Sequence, residues 1–184
     1  VTHADTTVNV ALKFTISLEP EMVRFSSEIT NNQPHTIVRE LHYPLIQDMK
    51  LPADYKLFLT HTGGQVYDNP KALIEKYSMA KPYATPAQRF RQMPAAYPTR
   101  ATTAGCSGNM AANCFAWWND KEGLYLGSHD PKFHDTGHSL RLYPDGNKKF
   151  TRLETGFQKF PHVFYGETWV NTANVIAPYT GTWH

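Results

Sequence analysis

Regular alternation of apolar and polar residues is the feature that most restricts how this chain can fold. The alternation covers residues 8–18 and 23–30, and a third run, residues 36–43, ends before Pro44. Because successive side chains of a strand point to opposite faces, a period of two predicts strands with one buried face. We therefore predict that the N-terminal third is an antiparallel β-meander whose second face is solvated or partly covered.

The same strand pattern returns further along the chain. Strands are predicted at residues 55–60, 110–118, 124–128, 139–143, 149–154 and 167–177. A loop-rich insertion, residues 66–105, lies among them, and its Asn-Pro and Thr-Pro pairs predict short helices at 69–77 and 86–93. The whole chain, residues 1–184, is predicted to be one all-β domain, an antiparallel β-sandwich.

Composition excludes several classes of function. Hydrophobic residues make up 41% and charged residues 18% of the 184 positions, which is typical of a globular chain with a sizeable core. The net charge is only +2 and no basic stripe is present, so nucleic acid is not expected as a partner. No apolar run reaches the length of a membrane span, and no phosphate-binding glycine loop is found. We expect no membrane contact and no cofactor.

The two cysteines are candidates for a disulfide bond, and a histidine-rich run is a candidate for a metal site. Cys106 and Cys114 either close a small loop as a disulfide or remain two buried free thiols. The second alternative is favoured, because one pair makes no disulfide framework. His134 and His138 are four residues apart, but Gly137 and the flanking strands argue against a helix that would bring them together. Surface or turn positions are favoured for both, and no metal site is predicted.

Residues 122–131 carry the most specific local signal. A compact apolar strand ends there in a His129-Asp130 pair, and Pro131 stops its continuation. A strand end positions side chains more firmly than a free loop, so the pair is a candidate for holding a hydroxyl-rich ligand or a partner domain. The alternative is that Asp130 caps the turn while His129 packs on an aromatic neighbour.

Trp117 and Trp118 precede that strand by one hairpin. Adjacent residues of a strand face opposite sides, so we expect one indole in the core and the other exposed or at an interface. An exposed indole offers a flat apolar platform that suits a sugar, whereas the alternative is packing under the insertion or against another domain. Glycoside hydrolysis needs two facing carboxylates, and spacing selects no pair among Asp120, Glu122, Asp130, Asp135, Glu154 and Glu167.

Four segments resemble one known family. Residues 117–131, with the sequence WWNDKEGLYLGSHDP, and residues 178–184, PYTGTWH, resemble large bacterial glycoside-hydrolase-like proteins. Residues 39–45 and 96–98 match the same family in the same order, whereas Thr99 stands where glycine is expected. In that family a β-sandwich similar to the galactose-mutarotase fold precedes a (β/α)8 catalytic barrel.

The resemblance implies a non-catalytic domain of a glycoside hydrolase, which supports the barrel and lines its substrate cleft. The implied partners are a carbohydrate and a (β/α)8 catalytic domain or partner chain. The implied substrate-binding residues are His129, Asp130, Trp117 and Trp118, and the implied domain-interface residues are Tyr179 and Trp183. We expect the chain to be truncated, with strands lacking before Val1 and the barrel lacking after His184. An extracellular or periplasmic location is slightly favoured.

Three other classes of function remain open at the level of sequence. One is a stand-alone carbohydrate-binding module with exposed aromatic residues. Another is a mutarotase-like sugar epimerase in which His129 and a carboxylate would carry out acid-base chemistry on a sugar ring. The last is a structural subunit that completes the sheet of another chain.

Overall fold

The structure, a computed structural model, describes residues 2–5, 8–50, 52–61, 64–70, 72, 102–104, 110–132, 134, 136–144 and 150–181. The strands are β1 (Thr2–Asp5), β2 (Val10–Leu18), β3 (Val23–Asn31), β4 (Leu41–Met49), β5 (Lys56–His61), β6 (Gln65–Tyr67), β7 (Thr102–Ala104), β8 (Met110–Trp118), β9 (Glu122–Ser128), β10 (Thr136–Pro144), β11 (Phe150–Lys159) and β12 (Thr168–Thr180). Among these residues, no helix is long and apolar enough to cross a membrane.

The strands form two antiparallel sheets. The larger sheet has eight strands in the order β1-β2-β3-β12-β9-β8-β5-β6, and the smaller has four in the order β4-β11-β10-β7. In the centre of the larger sheet β9 lies between β12 and β8, with Leu126 opposite Ile176 on one side and Phe115 on the other. The predicted all-β, antiparallel sandwich is therefore confirmed.

The hydrophobic core lies between the two sheets. Its buried members are Leu57, Leu59, Phe115, Trp117, Leu126 and Ile176 from the larger sheet and Leu153 and Phe157 from the smaller sheet. Phe115 and Phe157 meet edge to face across the interface, with ring centroids 5.7 Å apart. This contact is the favoured geometry for aromatic pairs and holds β8 against β11.

Several strands lie where the alternation predicts them. β8 has the predicted bounds, and β2 and β3 differ from the predicted runs by no more than two residues at either end. β11 extends five residues beyond its predicted end at Glu154, to Lys159. The extension matters for function, since it carries Lys159 into the space between the sheets.

The predicted third strand is wrong, and the predicted meander is confirmed only for its first two strands, which pair with each other as β2 and β3. β4 begins at Leu41, runs through Pro44 and pairs with β11 of the smaller sheet, so it does not follow β3 in the larger one. Proline is tolerated there because β4 is an edge strand. Gly156 of β11 provides the space, since a Cβ at this position would lie 2.1 Å from the Pro44 carbonyl oxygen.

The insertion at residues 66–105 falls mostly outside the described residues. At its start, the Asn69 side-chain oxygen accepts a hydrogen bond of 3.0 Å from the backbone N–H of Ala72, which is the capping contact expected at a helix N-terminus. The remainder of that predicted helix and the whole of the second one lie outside the described part of the chain.

Candidate functional site

The candidate site begins where β9 ends. His129 follows the last residue of β9, and its backbone N–H donates a 2.7 Å hydrogen bond to the carbonyl oxygen of Ala173. Ala173 lies in a bulge of β12, where the register with β3 shifts between Asn171 and Asn174. Bulges often re-aim the chain beside functional positions. Here the bulge fixes the backbone at the start of the His129-Asp130 turn.

A buried lysine connects the two sheets below this strand end. Lys159 of β11 has no exposed surface, and its Nζ donates hydrogen bonds of 2.6 Å to both Ser128 Oγ and Thr136 Oγ1. The carboxylate of Asp130 lies 3.9 Å from the same nitrogen. A buried ammonium is tolerated only when it is paired and hydrogen-bonded, and these three contacts meet that need. Burial lowers the pKa of Lys159 to about 8, against the opposing effect of the Asp130 charge.

Asp130 is fully occupied by internal contacts. It is 6% exposed, and its Oδ1 accepts a 3.0 Å hydrogen bond from the backbone N–H of Lys132. Its Oδ2 lies 2.5 Å from His134 Nδ1, and the His134 ring packs against Trp169 with centroids 5.2 Å apart. This arrangement corresponds to the alternative in which Asp130 caps the turn. The carboxylate faces Lys159 and His134 and is turned away from solvent.

His129 is exposed and lies against an aromatic neighbour. Its Nε2 is 2.9 Å from the hydroxyl of Tyr125, whose ring covers Gly127 so closely that a Cβ there would be 2.3 Å from the phenol oxygen. Partial burial, and after it the positive charge of Arg24, lowers the pKa of His129. Burial also raises the pKa of Tyr125. At neutral pH the pair therefore presents a neutral imidazole oriented by a protonated phenol.

The two tryptophans lie on opposite faces of β8, and both are buried. Trp117 has no exposed surface and belongs to the core between the sheets, whereas Trp118 is 8% exposed on the outer face. Neither indole offers an open platform to a ligand in this arrangement. Trp183 lies outside the described residues, and Tyr179 lies in β12 near its end.

The remaining predicted groups are distributed as follows. Cys114 is a free thiol whose pKa is raised by burial, while Cys106 lies outside the described residues. Within the described part of the chain, no group of three or more His, Cys, Asp or Glu residues is placed to hold a metal ion. The side chain of His138 is not among those described.

A cleft at the opposite end of β9 was not predicted from the sequence. It has a volume of about 1060 Å³ and is lined by the β2–β3 turn, the end of β4, the start of β9 and the end of β12. Glu122, Tyr55 and Tyr179 are among its lining residues. These residues come from distant segments, so no local motif connects them. The sequence indicates Tyr179 only as an interface residue and Glu122 only as one of six carboxylates among which spacing selects no pair.

Comparison with known proteins yields likeness in structure alone. No protein-family model and no curated protein matches the chain. The chain is similar to a candidate aldose 1-epimerase from Escherichia coli K12, with a TM-score of 0.51 and 8% identity over 98% of this chain and 64% of the other. It also aligns with the α-N-acetylgalactosaminidase NagBb from Bifidobacterium bifidum, with a TM-score of 0.44 and 10% identity over 92% of this chain and 27% of that one.

The first of these likenesses defines the fold. The chain is a β-sandwich of the galactose-mutarotase-like type, as the sequence resemblance implied, and it spans 64% of the length of the epimerase-like structure. At 8% identity the likeness extends to the fold alone. The chemistry that this fold performs in the present chain is therefore a matter for proposal.

Proposed function

We propose that this chain is a non-catalytic, carbohydrate-associated β-sandwich domain of a glycoside hydrolase, which supports the catalytic barrel and contacts the glycan through His129. The observation that supports the proposal is the contrast between His129 and its neighbour. His129 is exposed and oriented by Tyr125, whereas Asp130 is buried against Lys159 and His134. The pair thus offers one polar contact group on a rigid turn.

Rigidity is the property that a glycan-contacting turn needs. The turn is held by the His129–Ala173 backbone hydrogen bond and by the Asp130 contacts with Lys132 and His134. A contact group on a pre-organised element loses little conformational entropy on binding. His129 is therefore suited to recognise a sugar hydroxyl, because a neutral imidazole both donates and accepts hydrogen bonds.

The non-catalytic part of the proposal rests on the position of the carboxylate that follows His129 in sequence. Acid-base chemistry on a sugar needs a proton donor and acceptor that both reach the substrate. Asp130 is the carboxylate next to His129 in sequence, and its oxygens are directed to Lys132, His134 and Lys159. A side chain engaged in this way is a poor general acid or base.

A mutarotase-like epimerase is the second candidate, and the lowered pKa of His129 favours it. A histidine that stays neutral at pH 7 is a competent general base. The similar structure from Escherichia coli is named as a candidate aldose 1-epimerase. The two candidates differ in one measurable respect: an epimerase accelerates the interconversion of sugar anomers, and an accessory domain does not.

The test combines binding and turnover on the same sample. Amide NMR spectra of the chain are recorded during titration with neutral monosaccharides and short oligosaccharides, and anomer exchange is measured on the sugar signals. We expect saturable shifts around His129, lost in His129→Ala, with anomer exchange at the rate of buffer alone. His162→Asn is the matched control, since His162 is exposed and asparagine tolerates its positive φ of 49°.

Two results would overturn the proposal. Absence of saturable binding for every sugar tested would refute a direct contact with carbohydrate. Anomer exchange that is accelerated by the original chain and by His162→Asn, but not by His129→Ala, would show that the chain acts as an epimerase and would refute the non-catalytic role.

A further inference from the structure

We propose that the interior of the sandwich contains a hydration site, in which bound water molecules bridge the side chains of Ser27, Asn171 and Asn174. These residues belong to the neighbouring strands β3 and β12 of the larger sheet and are 3%, 0% and 0% exposed. The inference goes beyond the proposed function, because it concerns the space between the two sheets and needs no sugar. The two proposals can therefore succeed or fail separately.

The three side chains share one face of the larger sheet. Ser27 is opposite Asn171 in the register, and Phe25, two residues before Ser27, is opposite Asn174. Because the bulge of β12 lies between them, Asn171 and Asn174 occupy successive inward positions, roughly 7 Å apart at about 3.3 Å per residue of β3. Asn174 Nδ2 donates a 2.8 Å hydrogen bond to the carbonyl oxygen of Tyr43 in β4, so this face is turned toward the smaller sheet.

The polar side chains lie where the apolar packing is interrupted. On the inner face of β3, Ser27 stands between Ile29 and Phe25. Ile29 belongs to the smaller of two buried hydrophobic clusters among the described residues, and Phe25 packs against the larger one. Asn171 occupies the corresponding position on β12, opposite Ser27. A polar row therefore crosses the interior between the two clusters.

The protein leaves the polar atoms of this row without partners. In the part of the chain that the structure describes, Ser27 Oγ, both polar side-chain atoms of Asn171 and Asn174 Oδ1 are buried and have no hydrogen-bond partner. Ser27 and Asn171 face each other, yet no hydrogen bond joins them. A buried amide that bonds to nothing costs its full desolvation free energy, and native proteins nearly always avoid this cost. These atoms therefore call for a partner that fits between the side chains.

Water is the partner whose chemistry matches the row. The amide nitrogen of Asn171 donates, the two free amide oxygens accept and the Ser27 hydroxyl does both, so the occupant must both donate and accept. A buried water molecule makes about three hydrogen bonds of this kind and bridges groups that are beyond direct contact. A cation is disfavoured, because the Lys159 ammonium donates to Ser128, which is opposite Asn174 in the register. An anion finds no charged donor among the three side chains.

Asn31 is a matched asparagine whose amide is satisfied by the protein alone. It is also 0% exposed, and its Nδ2 donates hydrogen bonds to the carbonyl oxygens of Thr36 at 2.8 Å and Val163 at 3.0 Å. Its Oδ1 accepts a 3.0 Å hydrogen bond from the backbone N–H of Gln33. Asn31 and Asn171 therefore share residue type and burial, and they differ in whether the protein supplies the hydrogen-bond partners.

The experiment detects bound water in the 184-residue chain, without sugar, from nuclear Overhauser effects between water and the asparagine side-chain NH2 groups. We expect a cross-peak at Asn171 whose sign is opposite in laboratory-frame and rotating-frame spectra, which distinguishes bound water from proton exchange. No such cross-peak is expected at Asn31. Absence of the cross-peak at Asn171 would overturn the proposal, and so would equal cross-peaks at both amides.

Ser27→Ala excludes a signal that is relayed through the exchanging hydroxyl of Ser27. The variant removes that hydroxyl and leaves the Asn171 amide in place, so the cross-peak at Asn171 should persist. Its loss would show that the magnetisation passed through the hydroxyl and would contradict bound water at this amide.

Two leucine variants give an independent readout by urea unfolding. Asn31→Leu removes direct hydrogen bonds, so it should raise the equilibrium constant for unfolding. Asn171→Leu should act in the same direction, by about tenfold, because the bound water and the atoms that it serves lose a partner. A lower constant in Asn171→Leu would contradict the proposal, since that is the result of removing an amide that bonds to nothing. Far-UV circular dichroism checks that both variants are folded, and the spectra of the original chain remain decisive if one is not.

Discussion

The two ends of β9 use polar residues in opposite ways. At its C-terminal end Ser128 and Asp130 are buried and bound to Lys159 of the other sheet, so the polar groups hold the sandwich together. At its N-terminal end Glu122 is exposed and lines an open cleft with Tyr179. Polar residues at a strand end are therefore structural where they point between the sheets and available to a ligand where the sheets separate.

The C-terminal end of β9, called the closed end here, is stabilised by contacts that depend on one another, so removing any one of them should lower the free energy of unfolding. Lys159, Asp130 and His134 form a chain of charged or polar groups of which the first two have almost no exposed surface. Deleting one partner of a buried pair leaves the other charge unpaired, which is more costly than the net value of the pair. At the N-terminal end of β9, called the open end here, the Glu122 side chain is exposed, so its removal leaves no buried charge unpaired.

The largest expected effect comes from removing the lysine. Lys159→Met should lower the free energy of unfolding by about 3–5 kcal/mol, because Asp130 would lose its buried cation. Urea unfolding followed by tryptophan fluorescence measures the change. Lys13→Met on the exposed face of β2 is the matched control and should stay within about 0.5 kcal/mol of the original chain. Equal stability of the two variants would show that the lysine does not hold the sheets together.

The second-largest expected effect is a difference in stability between two variants, each of which removes one carboxylate from one end of β9. Asp130→Asn should cost about 1–3 kcal/mol, since the amide replaces a charge that faces both Lys159 and His134. Glu122→Gln should change stability by less than about 0.5 kcal/mol, since its side chain is exposed. Both are measured by urea unfolding at pH 7. If Glu122→Gln proved the more destabilising, the assignment of closed and open ends would be reversed.

The smallest expected effect is a pH dependence of the free energy of unfolding, which comes from Lys159 at the closed end. An unfolded lysine keeps its proton up to its ordinary pKa of 10.5, whereas Lys159 releases it from about 8 in the folded state. Between these values the unfolded state binds more protons, so the free energy of unfolding rises with pH. From pH 7.5 to 9.5 the contribution should be about 1–2 kcal/mol.

Lys159→Met isolates this contribution. Asp130 is the charged group within contact of Lys159 Nζ, and Ser128 and Thr136 contribute neutral hydroxyls. The buried thiol of Cys114, whose pKa is raised, acts in the opposite direction above pH 9 but is present in both proteins. The difference in free energy of unfolding between the original chain and Lys159→Met should therefore become smaller as the pH falls from 9.5 to 7.5. Parallel profiles would contradict a lowered pKa at Lys159.

The strands could largely be predicted from sequence, whereas their pairing could not. Alternation locates β2, β3 and β8 because one face of each packs on the core. It says nothing about which sheet a strand joins, and so β4 was placed beside β3 when it belongs with β11. The close approach of Pro44 to Gly156 that fixes this pairing involves residues more than a hundred positions apart in the chain.

The site was predicted only in part for a related reason. The strand end at His129 and Asp130 could be located from the apolar run and Pro131, but the burial of Asp130 depends on Lys159. Lys159 lies five residues beyond the predicted end of its strand, and the sequence gives no signal that it is buried, since lysine is nearly always exposed. The cleft escaped prediction because its walls come from five separate segments.

A crystal structure of the chain grown with a neutral sugar tests the contrast between exposed His129 and buried Asp130 most directly. We predict a sugar hydroxyl hydrogen-bonded to the exposed His129 imidazole, while Asp130 keeps its contacts with Lys159 and His134. A sugar bound to the Asp130 carboxylate, with that residue turned away from Lys159, would contradict the account.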